Sequence, residues 1–213
     1  MSADHIPKNE LETDSFMEAI GNILDFYKKN KLVVQWAAIG IVAVILINIG
    51  ITRYISSQRH KALLAYENAK TEMGLSEFIA NFPNSEYVAL ALFQKGNMLY
   101  EKEDYAGAMN VFAQLVEKYK KHELASFALL SIGYCQMAMG ENVKAQEIFN
   151  KLIEQYPASP MAGDAKINLA RSLLKSAQYE QAQKVIDEFL KAEPNSYLAD
   201  EVKKMLPEIK RNL

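Results

Sequence analysis

Few side chains in this 213-residue chain could do chemistry, and they stand far apart. His5, His60 and His122 have neither a second histidine nor a cysteine at metal-ligand spacing, so no zinc site of the His/Cys type is expected. His60 lies between Arg59 and Lys61, and His122 falls in a linker, where a solvated turn residue is expected. Cys135 is the only cysteine, which excludes an intramolecular disulfide. A nucleophilic thiol needs a neighbouring base. None is identifiable for Cys135, which follows Tyr134 in an apolar helix, so a packed or groove-lining thiol is expected. The carboxylate pairs Glu103/Asp104 and Asp187/Glu188 read as solvated turn and helix surface. Phosphate-binding glycine loops and a Gly-x-Ser-x-Gly turn are both missing from the sequence. The expectation is therefore a protein that is not an enzyme, with no catalytic, cofactor-binding or metal-binding residues and no cofactor.

With no reactive centre to position, the elements must serve something else. Half the residues are apolar and the formal net charge is −2. A general nucleic-acid binder needs an excess of Lys and Arg to displace counterions, so nucleic acid is not an expected partner. Residues 32–51, LVVQWAAIGIVAVILINIGI, hold no charge. As a helix they would span roughly 30 Å, the thickness of a bilayer's hydrocarbon core. Gln35 and Asn48 lie near the ends, and Trp36 and Tyr54 sit at interfacial positions. A single-pass anchor over 32–52 is expected, against a buried core helix as the alternative. No small-x-small cleavage pattern follows it. Lys28, Lys29 and Lys31 crowd the N-terminal flank, while Arg53, Arg59, Lys61 and Lys70 are spread along the other. The crowding favours a cytoplasmic N-terminus, although long domains translocate whatever their charge.

Residues 1–14 are polar and acidic and are expected to be a disordered tail. Ser15 and Glu18 fit a capping box opening a juxtamembrane amphipathic helix over 15–31. Its apolar residues Phe16, Ile20, Ile23, Leu24 and Tyr27 recur at helical spacing. That helix could lie on the membrane surface or simply extend the anchor. Residues 53–81 predict a pre-repeat helical segment interrupted at Gly74.

From residue 82 the sequence repeats. Four linkers begin at Phe82, Tyr119, Tyr156 and Glu193, each 37 residues after the last. Gly96, Gly133 and Ala170 keep the same 37-residue period, as do Ala108, Ala145 and Ala182, and Phe112, Phe149 and Ile186. Pro-Asn-Ser and Pro-Ala-Ser linkers end one helix and cap the next. Three helical hairpins over 82–196 follow, with a capping helix over 197–213 that Pro207 kinks or ends.

Gly96 to Leu115, Gly133 to Leu152 and Ala170 to Phe189 carry a small–x6–Gly–Asp–Tyr–x2–Ala–x3–Phe–x2–Leu pattern, with Glu103 in place of the turn glycine and Asn142 in place of tyrosine. This resembles the tetratricopeptide repeat. The longer period and Tyr-Pro-x-Ser-Pro linker resemble repeats of bacterial envelope proteins. Lys95 and Gln136 depart from the motif. The resemblance implies an all-α fold: one N-terminal transmembrane helix, then a right-handed helical solenoid. Anchor, Leu64-Ala65-Tyr66-Glu67-Asn68-Ala69 and repeats in that order resemble the YfgM-type family, ancillary subunits of the Sec translocon.

Stacked hairpins line a concave surface with their first helices. By the motif, its lining columns are Leu90, Phe127 and Asp164; Phe93, Leu130 and Ile167; Asn97, Tyr134 and Arg171; and Tyr100, Met137 and Leu174. So wide an apolar patch points to a groove for a peptide or partner helix, unless residues 54–81 or the last helix fill it. The family resemblance implies an inner-membrane protein with its repeats in the periplasm, binding proteins or peptides such as Sec translocon subunits and periplasmic chaperones. The other expectation is a scaffold for outer-membrane or cell-wall assembly. Such relatives usually carry a cleaved signal peptide or a lipid-modified cysteine, and neither is found near this N-terminus.

Overall fold

The computed structural model describes residues 8–213, with side chains from residue 16. His5 and the first half of the expected tail lie outside the described residues. The chain divides into two compact units at Gln58/Arg59.

The first unit holds α1 (Lys8–Lys29) and most of α2 (Lys31–Asn68). Here α1 begins at Lys8 rather than Ser15. Glu10, Leu11 and Glu12 are good helix formers, and their propensity carries the helix through the Ser15 capping box. Asn30 separates the helices by a single residue, and its side-chain amide donates to the Phe26 carbonyl (3.0 Å). Among the described residues one helix, α2, is long and apolar enough to cross a membrane, and none of its apolar window is buried. A helix packed in a core would be covered, and this window is open along its length. Thr52 returns its hydroxyl to the Asn48 and Ile49 carbonyls (2.9 and 3.0 Å), so a polar group inside the helix is satisfied locally.

The second unit begins with the last turns of α2. Ala62 is buried, and Tyr66 packs on Phe78 and stacks on Tyr87, both with centroids 5.6 Å away. The break falls at residues 69–71, not at Gly74. Thr71 caps α3 (Glu72–Asn81) by accepting from the Gly74 N–H, so Gly74 lies in the first turn of the helix. A Cβ there would stand 3.3 Å from the Ala69 backbone, a close approach that explains the glycine.

Three hairpins follow: α4 (Val88–Glu101) with α5 (Tyr105–Lys118), α6 (Leu124–Ala138) with α7 (Asn142–Gln155), and α8 (Met161–Lys175) with α9 (Tyr179–Ala192). Each second helix buries the columns that recur in the sequence. Phe112, Phe149 and Ile186 are fully buried, as are Ala108, Ala145 and Ala182. Each such aromatic contributes about 1.5–3 kcal/mol through its removal from water. The column extends back to Leu75 on α3, also fully buried, so the repeat order reaches into the pre-repeat segment.

The small first-helix residues sit opposite these side chains. A Cβ on Gly96 would lie 2.4 Å from the Phe112 ring, and one on Gly133 would lie 2.2 Å from that of Phe149. The third unit has Ala170 where the second helix carries the slimmer Ile186.

The linkers share one device. Ser85, Ser159 and Ser196 accept from the N–H two residues on, at 3.2, 3.1 and 3.4 Å. His122 occupies the same column and accepts from the Leu124 N–H through Nδ1 at 3.2 Å. It does the serine's work and is more than a solvated turn residue.

Instead of one terminal helix there are two, α10 (Ala199–Lys203) and α11 (Leu206–Asn212), with Pro207 in the first turn of α11. A proline there removes the donor that would have continued α10. The pair continues the first-helix columns. Ala199 follows Val88, Ala125 and Ala162, and Val202 follows Ala91, Ala128 and Ala165, all buried. The columns of Leu92, Gly96 and Leu99, by contrast, continue as exposed Lys203, Pro207 and Lys210.

Candidate partner-binding surface

The first helices α4, α6 and α8 bring the predicted columns together in the second unit. Phe93 meets Phe127 edge to face across the α4–α6 boundary (6.3 Å between centroids) and also rests on Phe112 (5.8 Å). Tyr134 packs on Phe149 (6.3 Å), and Tyr100 packs on Tyr105 (5.3 Å). Local helix order places these residues on one side, because positions three and four apart share a helix face.

Exposure along the columns is graded. Leu90 and Tyr100 on α4 are each 37% exposed. Phe93, Asn97, Phe127, Tyr134, Met137, Asp164 and Arg171 are half-buried. Leu130, Ile167 and Leu174 are buried within the continuous core.

The polar members form a chain across three helices. The Asn168 amide donates to the Tyr134 hydroxyl (3.2 Å) and to the Asp164 carbonyl (2.8 Å). Arg171 Nη1 donates to Asn168 Oδ1 (3.0 Å), while Nη2 pairs with Glu201 of α10. Arg171 is therefore engaged within the chain. Burial raises the Asp164 pKa, and the Glu201 carboxylate raises it further, against the opposing pull of Arg171. Tyr134 is likewise raised, first by burial and then by Asp164.

Sequence reasoning missed Asn168 and Glu201. Glu201 was within reach of the period, since it stands 37 residues after Asp164 and continues the column Leu90, Phe127, Asp164. Asn168 lay behind the motif's lining columns and carried no such signal.

No group of three His, Cys, Asp or Glu side chains suited to a metal occurs among the described residues. His60 and His122 are both exposed, on α2 and in a linker. Cys135 is fully buried, and burial pushes its thiol up to about 11, the opposite of what a nucleophile needs. Glu103 and Asp104 belong to the α4–α5 turn, where Asp104 caps α5 through the Gly107 N–H (2.9 Å). Asp187 and Glu188 are exposed on α9.

Comparison with known proteins agrees with this geometry. Residues 90–122 match the family model of the tetratricopeptide repeat, and residues 125–207 match that of YfiO, described as an outer membrane lipoprotein. No curated protein sequence matches the chain significantly. Among solved structures, a tetratricopeptide repeat protein from Parabacteroides merdae is 16% identical, with a TM-score of 0.57 over 74% of this chain and 60% of that one. A putative kinesin light chain from Podosopora anserina with TPR-like repeats is 13% identical, with a TM-score of 0.51 over 75% of this chain and 94% of that one. The first TPR of Spaghetti (RPAP3), bound to an HSP90 peptide, is 17% identical, with a TM-score of 0.48 over 58% and 90% of the two chains. The fold of the second unit is a tetratricopeptide-type array of helical hairpins.

Proposed function

We propose that the protein is a membrane-tethered interaction module that holds a partner protein on the first-helix surface of its leading hairpins. One observation supports this: α4 leaves Leu90 and Tyr100 exposed beside half-buried Phe93 and Phe127, so an apolar face stands partly open to solvent. The polar end, Arg171 and Asp164, is partly closed by Glu201, so the open part lies toward α4 and α6. The uncovered apolar stretch of α2 acts as the tether. Tethering confines the module to a thin layer and raises its effective concentration there, so a modest affinity suffices. The reading carries no catalytic step.

The setting we propose is the bacterial inner membrane, N-terminus in the cytoplasm and repeats in the periplasm, with translocon subunits or periplasmic chaperones as partners. The layout of anchor, Leu64–Ala69 segment and repeats supports it. The match of residues 125–207 to an outer membrane lipoprotein family favours a second reading, a scaffold for outer-membrane or cell-wall assembly. Leu90→Glu with Tyr100→Ala tests the surface, since both side chains are exposed and the Tyr100–Tyr105 contact is the one aromatic pair lost. The double variant should lose co-purifying membrane partners while remaining folded, with a melting temperature only slightly lowered. Unchanged partner recovery refutes the surface. The identity of the partners decides between the settings: channel subunits and chaperones uphold the first, cell-wall or outer-membrane factors the second.

A further inference from the structure

The first unit carries an apolar face that the interaction reading does not use. On α1, Phe16, Ile20, Ile23, Leu24 and Tyr27 fall at i, i+4, i+7, i+8 and i+11, which is one stripe of a helix. Phe16 is 64% exposed, Ile23 67%, Leu24 52% and Tyr27 42%, with Ile20 half-buried between them, so most of the stripe is left open by the described residues. Glu18, Asn22, Asp25 and Lys29 lie on the opposite face. We infer that the stripe is a lipid-binding surface: the C-terminal half of α1 lies in the membrane interface with its apolar face among the upper acyl chains. This inference rests on the reading of α2 as a membrane anchor.

Three observations select a lipid surface over other occupants. The stripe ends at Tyr27, five residues before the uncharged stretch begins at Leu32, and that separation is about 7.5 Å of helix. It therefore cannot be far from the bilayer surface if α2 spans the bilayer. Lys28 and Lys31 stand at the same end, exposed, where they can meet lipid phosphates. The stripe also stops at Phe16, and the residues before it (Glu10, Glu12, Asp14) are acidic. Amphipathic character is thus confined to the part of α1 next to the anchor, as a surface-lying helix requires. The ligand class is an anionic phospholipid surface, read by its acyl region and its phosphates.

The test is a cysteine scan of residues 16–29 in the full-length chain carrying Cys135→Ser, reconstituted in vesicles of phosphatidylethanolamine and phosphatidylglycerol. Each cysteine takes a spin label. Its relaxation is measured with oxygen, which concentrates in lipid, and with a water-soluble nickel complex. The oxygen-to-nickel ratio should oscillate with a period of about 3.6 residues. Maxima are expected at Ile20, Ile23, Leu24 and Tyr27, and minima at Glu18, Asn22, Asp25 and Lys29. A label at Val42 reports the anchor separately. If Val42 is oxygen-rich but residues 16–29 are uniformly nickel-accessible, α1 stands in water and the inference fails while the anchor survives. If the stripe is shielded from both reagents, a protein occupies it and the inference also fails. A nickel-accessible Val42 overturns the anchor and this inference together.

Discussion

Phe112 and Phe149 lay the edges of their rings where a side chain on Gly96 or Gly133 would otherwise stand, and the third hairpin meets the same constraint with Ala170 and Ile186. The pairs behave as single packing units, large on one helix and small on the other. Gly133→Ala should destabilise the protein by about 1–3 kcal/mol, the usual scale of overpacking a filled core. Adding Phe149→Ile, which recreates the third hairpin's pair, should recover part of that loss in a double-mutant cycle read by urea denaturation. Asp164 provides a second prediction, by linkage. Its folded-state pKa is raised above the ordinary 3.8, so the folded protein binds this proton more tightly than the unfolded chain does. Stability from this group is therefore greatest below pH 3.8 and falls as pH rises through the folded pKa. Asp164→Asn should raise the melting temperature at neutral pH, and the gain should vanish in acid. Cys135, buried and pushed up to about 11, should resist alkylation at pH 8 in the folded protein and react once the chain is unfolded in urea.

At the scale of the element, the three hairpin turns are built alike. Glu103, Gly140 and Ala177 stand 37 residues apart and all adopt positive φ, at 62°, 79° and 56°. Each turn closes by a bond from the residue after this one to the first helix: Asp104 to Leu99, Glu141 to Gln136 and Gln178 to Leu173, at 3.0, 2.9 and 2.9 Å. That is the Schellman arrangement, in which a left-handed residue satisfies the last carbonyls of a helix. Glycine suits this backbone, and only Gly140 supplies it. Ala177→Gly should therefore stabilise the protein by about 0.5–1 kcal/mol, the relief of left-handed strain less the added freedom of the unfolded chain. Thermal unfolding checks it, and Gly140→Ala should shift the midpoint the other way. The regular elements were legible because period, linker proline and small residue all recur at one spacing. The irregular ones were not. Gly74 suggested a break yet lies in the first turn of α3, since glycine there answers a close backbone contact that only the fold creates. His122 reads from the sequence as a solvated turn residue, and its ring nitrogen instead accepts where the other linkers use serine.

The whole molecule joins an uncovered apolar helix to an array that presents an apolar face at one end and a satisfied polar cluster at the other. The motif's columns fall on one side of the first helices, yet the motif does not distinguish an exposed residue from a buried one. Leu130, Ile167 and Leu174 differ from Leu90 and Tyr100 in depth, and depth depends on how neighbouring hairpins stack. Glu201 continues the 37-residue column of Asp164, and its pairing with Arg171 joins α8 to a helix beyond the three recognised hairpins. The C-terminal helices are integral to the array: Ile209 is fully buried, and Ile209→Ala should destabilise it by about 2–5 kcal/mol in chemical denaturation. The central claim is that a partner sits on the open first-helix face of a tethered module. The most direct test is photo-crosslinking in living cells from a benzophenone side chain placed at Tyr100, compared with one placed at exposed Glu117 on the second helix of the same hairpin. The account predicts discrete membrane-fraction adducts from Tyr100 that Glu117 does not give. Equal adducts from both positions, or none from Tyr100, would contradict it.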